Sequence, residues 1–280
     1  MYQTQLQWIR AIQETLSAPW IEGFFRAWDY VDSSYFILPA IALVWYLWDR
    51  RIGIRLFYVL TLSLIVNVLL KSFFCLPRPC QLDPTVGILC SKSLGFPSGG
   101  AQSAAIYFGV VVLESKRTLY RMLALIFALT LCFSRIYLGL HFFTDVLGGI
   151  VVGGLLMLVY WKIFPLFEKN WRSAALAFSF FNLAVGFAFS LPTKLITYLF
   201  FMTLGVALGF MCDKKRPQLL PKKFKARCMQ ASNVLIGIIA IFFLQKQLPG
   251  LLFLFDFARG FWLSFLGAYL VQRAKNQWGN

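Results

Sequence analysis

Long apolar runs separated by short polar intervals make up most of the chain. Runs near 34–48, 54–74, 98–114, 118–134, 142–163, 173–191, 195–212, 229–245 and 251–271 carry few charges. Each approaches the roughly 20 residues that a helix needs to cross a hydrocarbon core. The stretch from Leu6 to Trp28 differs. Trp8, Ile9, Ile12, Leu16, Trp20, Phe24 and Phe25 recur there among charged residues, which predicts an amphipathic helix lying in the interface, with a short tilted span as the alternative. The pattern as a whole predicts an all-α integral membrane protein, a polytopic helical bundle. Its expected organisation is an interfacial segment over 1–33, a transmembrane core over 34–171 and a transmembrane extension of about four further spans over 172–280.

Composition removes the soluble alternative. Of the 280 residues, 59% are hydrophobic and 14% are charged, whereas soluble domains carry about 25% charged residues. The net charge of +16 would suggest nucleic acid if it were spread over a surface, but its distribution excludes that partner. Five clusters, around Arg50, Lys116, Lys162, Lys214 to Arg227, and Arg273 with Lys275, hold 18 of the 27 basic residues. They fall at every second loop, which is the positive-inside pattern. Segments 72–97, 135–141, 192–194 and 246–250 are then outside, and the expected location is a bacterial inner (cytoplasmic) membrane. Cys75, Cys80 and Cys90 lie in or beside the first outer segment and allow one disulfide if that side is oxidising. Cys132, Cys212 and Cys228 read as small packing residues.

Candidate chemistry collects on the outer side. Lys71 ends the second apolar run and Arg78-Pro79 follows it; Pro97-Ser98-Gly99-Gly100 opens the third; and Ser134-Arg135 precedes His141 and Asp145 between the fourth and fifth. Arginine forks bind phosphate oxygens in bidentate fashion and lysine adds a point charge. A glycine-rich helix start offers free amides to an anion. His141 is the only histidine. With Asp145 at i+4 on a helix, the carboxylate would take the Nδ1 proton and leave Nε2 as a nucleophile or base.

At these residues the chain resembles the type 2 phosphatidate phosphatase superfamily, whose pattern is K-x6-RP, then PSGH, then SR-x5-H-x3-D. Lys71, Arg78 and Pro79 match the first motif, Pro97, Ser98 and Gly99 the start of the second, and Ser134, Arg135, His141 and Asp145 the third. The resemblance covers roughly residues 1–165. It implies a six-helix-type phosphatase core and hydrolysis of a lipid phosphate or diphosphate through a phosphohistidine. His141 and Asp145 would be catalytic, and Lys71, Arg78, Ser98, Gly99 and Arg135 would bind phosphate. Membrane lipids are the implied surroundings, with no cofactor and no metal.

One position departs from the pattern. The histidine that closes the second motif and protonates the leaving group is Gly100 here. A diphosphate loses a phosphomonoester, whose second pKa is about 6 and which departs unprotonated. A lipid alkoxide needs a proton, so polyprenyl diphosphate is the favoured substrate. The open alternatives are an impaired member, natural or engineered, that binds or transports lipid phosphate, and a phosphotransferase.

Overall fold

The computed structural model describes residues 1–213, 221 and 223–278. The apolar runs become helices, and no strand occurs among the described residues. In chain order they are α1 (Tyr2–Thr15), α2 (Pro19–Asp29), α3 (Ser34–Leu43), α4 (Arg50–Phe74), α5 (Pro79–Leu82), α6 (Gly99–Glu114) and α7 (Thr118–Tyr137). Then come α8 (Phe143–Leu158), α9 (Phe164–Phe167), α10 (Trp171–Ala188), α11 (Thr193–Cys212), α12 (Phe224–Gln247), α13 (Leu252–Phe261) and α14 (Gly267–Trp278).

Among the described residues, six helical stretches are long and apolar enough to cross a membrane, or seven if the pair Pro19–Asp32 and Ser34–Trp48, bent by 68°, is one broken span. The nine apolar runs therefore overcount the candidate crossings. The run at 98–114 gives α6, which has only 16 residues because Ser98 caps its start and Ser115 leaves helical geometry at its end. Beyond residue 172, three stretches qualify where about four were expected; α10 carries Arg172 and Asn182 in an otherwise apolar sequence. The chain is a polytopic integral membrane protein.

Two compact units are distinguishable, one formed by Met1–Ile37 with Tyr58–Ile163 and the other by Leu38–Phe57 with Phe164–Asn280. In the first, the expected single N-terminal amphipathic helix is broken. Pro19 occupies the first turn of α2, where its missing N–H costs nothing and its fixed φ starts a new helix. Leu6 and Ile9 of α1 are buried with Ala101, Ala104, Leu131, Phe142 and Val146, so the apolar face of α1 packs on protein. By contrast Leu119, Met122, Leu123, Ile126 and Leu129 of α7 are exposed, an apolar face suited to lipid.

The contact of α6 with α8 depends on missing side chains. A Cβ at Gly149 would strike the Ser98 carbonyl and lie 2.9 Å from Ala101 Cβ, while one at Gly154 would meet nothing within 4 Å. Small residues let two helix backbones approach, which is the main source of association energy in lipid.

In the second unit several polar side chains pair internally, as burial in lipid favours. Arg259 binds Asp256, the i, i+3 partner expected from the sequence, donates to Gln245 at 2.8 Å and lies over the Phe242 ring at 4.4 Å. Asn182 donates to Thr203 at 3.2 Å and Asn233 to the Gly267 carbonyl at 2.6 Å. Lys214, Lys215, Arg216 and Lys222 of the expected basic loop lie outside the described residues. Cys80 and Cys90 form a disulfide; Cys75 is free and exposed, Cys132 is buried, and Cys212, expected to pack, is exposed.

Gly149→Val should therefore destabilise the protein by about 1–3 kcal/mol through overpacking, whereas Gly154→Ala should leave stability nearly unchanged. Thermal unfolding of the two purified variants in detergent checks the contrast.

Candidate phosphate-binding site

The third motif is shaped by the end of α7. Gly139 follows that helix at φ +69, and a Cβ there would collide with the Val86 carbonyl. This left-handed turn is favourable only for glycine. It reverses the chain so that the amides of Leu140 and His141 both donate to the Arg135 carbonyl at 3.1 Å. His141 thus sits in the connection before α8 and not on a helix, contrary to the i, i+4 expectation. Asp145 lies in the first turn of α8 and accepts the Phe142 amide at 2.9 Å. The cap turn, and not a shared helix face, brings His141 Nδ1 to 3.5 Å from Asp145 Oδ2.

Arg78 reaches His141 from the other side. Its Nε donates to the Ser93 carbonyl at 2.7 Å, its Nη2 to Ser93 Oγ at 2.7 Å, and its Nη1 to the Leu140 carbonyl at 2.9 Å. Nη1 also lies 3.2 Å from His141 Nε2. A guanidinium only donates, so Nε2 must be the nitrogen with the lone pair and Nδ1 carries the proton that faces Asp145. Burial first, then the charges of Arg78, Lys71 and Arg135, hold His141 well below the usual histidine range. The imidazole is therefore neutral, with the Nε2 lone pair facing Arg78 Nη1. Lys71 Nζ donates to the Leu94 carbonyl at 2.7 Å, on the loop that also carries Ser93.

The second motif is held from behind. The Ser98 amide donates to the Asp145 carbonyl at 2.9 Å, and Ser98 Oγ accepts from the Ala101 amide at 3.3 Å. Asn67 donates to the Pro97 carbonyl at 3.1 Å and to Gln102 Oε1 at 3.0 Å, and Gln102 donates to the Ser63 carbonyl at 2.9 Å. A Cβ at Gly99 would lie 3.6 Å from Asn67 Oδ1. The sequence reading missed Asn67, although one amide four residues before Lys71 in an apolar run was a visible signal. It also missed Ser93, which has no such signal because a loop serine is unremarkable by pattern.

Arg135 completes the cation set. Its Nη1 binds Asp29 Oδ1 at 2.9 Å, its Nη2 the Trp28 carbonyl at 3.1 Å, and its Nε Ser134 Oγ at 3.2 Å. Residues of the N-terminal segment thus orient a motif arginine. A Cβ at Gly100 would lie 3.0 Å from Arg135 Cδ and 3.2 Å from Asp32 Oδ2. The space in front of residue 100 is bordered by an arginine and a carboxylate. All eight residues singled out from the sequence, Lys71, Arg78, Ser98, Gly99, Gly100, Arg135, His141 and Asp145, fall within the first unit.

Because His141 is the only histidine, its titration can be read alone. The imidazole signal of protein labelled at histidine should titrate well below 6.5, and Arg78→Gln should move the midpoint upward by removing the nearest positive charge. A wild-type midpoint at or above 6.5 in the NMR titration would contradict a neutral imidazole protonated on Nδ1.

No solved structure gives a significant match to the chain. A phosphatidylglycerophosphatase B of Bacillus subtilis (strain 168) is 30% identical over 154 residues, 49% of this chain and 72% of that protein. A dihydrosphingosine 1-phosphate phosphatase of Saccharomyces cerevisiae is 26% identical, over 54% of this chain and 40% of its own length. Sphingosine-1-phosphate phosphatase 2 of Mus musculus is 27% identical, over 43% of this chain and 36% of its own length. The chain thus spans less than half the length of the yeast and mouse relatives. The profile of the PAP2 superfamily matches residues 52–169, a stretch that contains Lys71, Arg78, Ser98, Arg135, His141 and Asp145, and with the bacterial relative it establishes that the chain belongs to the PAP2 superfamily of membrane lipid phosphatases.

Proposed function

We propose that the protein hydrolyses a lipid phosphate or diphosphate through a phosphohistidine on His141. The observation that carries this reading is the His141 imidazole, with Asp145 at its Nδ1 side and the Arg78 guanidinium on its Nε2. Nε2 attacks phosphorus, Asp145 stabilises the imidazolium that forms, and Lys71, Arg78, Arg135, Ser98 and the Gly99 amide hold the phosphoryl oxygens. Such preorganised donors stabilise the charge that spreads over those oxygens in the transition state. The relatives named for phosphatidylglycerophosphate and for phosphorylated sphingoid bases support a lipid phosphate as the substrate class. Polyprenyl diphosphate is the first substrate to test, because its leaving group asks least of a proton donor.

On this reading the six-helix-type catalytic core is carried by 34–171, with 1–33 as its interfacial N-terminal segment and the helices beyond 172 as an extension. The site faces the non-cytoplasmic side of an inner membrane. Alternating basic loops support that side, and so does the Cys80–Cys90 disulfide beside the site, since such bonds persist in oxidising compartments.

Purified protein in detergent should release phosphate from a panel of lipid mono- and diphosphates. His141→Ala should abolish release and any acid-labile phosphoryl label. Asp145→Asn should leave substrate binding nearly intact and slow turnover. Binding without release by the wild type would support a lipid-phosphate binder instead. Unchanged release by His141→Ala would sink the phosphohistidine.

The side of the membrane has its own test. In a background lacking Cys75, Cys132, Cys212 and Cys228, a cysteine at Lys92 should react with an impermeant thiol reagent in intact cells and one at Lys223 should not. The opposite labelling would put the site on the cytoplasmic face.

A further inference from the structure

A phosphoryl transfer from a lipid alcohol needs a proton donor at the leaving oxygen, and His141 cannot be both nucleophile and donor. Position 100 supplies no side chain. The structure shows what borders that space. Asp32, at the end of the single turn Tyr30–Asp32 that follows α2, places Oδ2 3.2 Å from where a Cβ of residue 100 would stand. Its carboxylate therefore lies where the first atoms of a side chain at 100 would project. Arg135 borders the same space, its Cδ 3.0 Å from that Cβ position.

Asp32 is not spent on structure. Each of the three guanidinium nitrogens of Arg135 has another partner, Asp29, the Trp28 carbonyl and Ser134. The Asp32 carboxylate makes no hydrogen bond or ion pair among the described residues. Asp145 accepts the Phe142 amide and faces Nδ1 of the nucleophile, and Asp29 is held by Arg135. Asp32 is the carboxyl group of this cluster with neither oxygen in a hydrogen bond or ion pair among the described residues. A general acid there must hold its proton against the Arg135 charge, and a phosphate anion arriving in front of it, with Asp29 alongside, works in that direction.

We propose that Asp32 is a further catalytic residue, the general acid and then the general base of the reaction, supplied from the N-terminal segment in place of a side chain at position 100. This deepens the phosphatase reading and rests on it. In the first step His141 Nε2 bonds to phosphorus as the bond from phosphorus to the lipid oxygen breaks, and the Asp32 carboxyl proton passes to that oxygen, so that the lipid alcohol leaves. In the second step the Asp32 carboxylate takes a proton from water, the water oxygen bonds to phosphorus, and the P–N bond breaks. Lipid phosphate and water give lipid alcohol and inorganic phosphate, with Asp32 protonated again and His141 neutral. The consequence is a wider substrate class: phosphomonoesters of lipid alcohols, which need a proton, as well as diphosphates, which do not.

The test uses the full chain in detergent with phosphatidic acid and a polyprenyl diphosphate. Asp32→Asn keeps the shape of the side chain and removes its proton. Turnover of phosphatidic acid should fall by about 10²- to 10⁴-fold with KM little changed, and turnover of the diphosphate should fall far less. Asp32→Ala combined with Gly100→His should recover phosphatidic acid hydrolysis relative to Asp32→Ala alone, because removing the carboxylate opens room for an imidazole. An equal loss on both substrates, a loss confined to KM, or no loss would each overturn the proposal, the first two because they are what a group that only positions Arg135 would produce. Wild-type release from the diphosphate but not from phosphatidic acid would overturn it as well and leave the phosphatase reading intact. Release from neither substrate by the wild type would overturn both.

Discussion

The site depends on how closely α6 and α8 approach. The start of α6 carries Ser98, Gly99 and Gly100, and the start of α8 carries Asp145, so any change in their separation changes the distance between the amides of the second motif and the carboxylate beside His141. Two features fix it. Gly149 lies against the Ser98 carbonyl with no room for a side chain, and the Ser98 amide donates to the Asp145 carbonyl. The starts of the two helices are thus joined by backbone, which does not change rotamer. A constellation that must hold to a fraction of an ångström is best built on such rigid elements.

Within that frame, charge is arranged asymmetrically around one neutral ring. Burial first, and then Arg78, Lys71 and Arg135, lower the basicity of His141, and the same three cations are what the phosphate of the proposed substrate would bind. The Arg78 contact with Nε2 links the two roles. On the proposed reading, a phosphate oxygen that attracts the guanidinium would uncover the lone pair next to phosphorus. The carboxylates occupy separate places around the ring, with Asp145 behind the imidazole, Asp29 on Arg135, and Asp32 in front of the glycine at position 100.

The N-terminal segment changes meaning in this light. Its amphipathic pattern predicted a surface helix. The structure divides it at Pro19 and buries Leu6 and Ile9 in the core of the first unit, with Trp28 and Asp29 reaching Arg135. An apolar stripe cannot distinguish lipid from a protein groove, since both are equally apolar.

Helical class, membrane location, the alternation of basic loops and the motif residues were all legible in the sequence, because each follows from composition or from spacing of a few residues along the chain. Lys71, Arg78, Arg135, His141 and Asp145 stand out since charge is scarce in an apolar chain and therefore informative. The contacts of Ser93 and Asp29 were not legible, because each meets an arginine remote in sequence and neither sits in a local pattern that demands a partner; Asn67 carried a signal, a lone amide in an apolar run, but not the identity of its partners. The relation between His141 and Asp145 illustrates the boundary. Their spacing announced a contact, but the sequence reading assigned it to a helix face, whereas the turn at Gly139, which must avoid the Val86 carbonyl, and the cap of α8 produce it. Spacing along the chain determines which groups can meet; packing between segments remote in sequence decides which atoms do, because only there do steric exclusion and unsatisfied donors select one geometry.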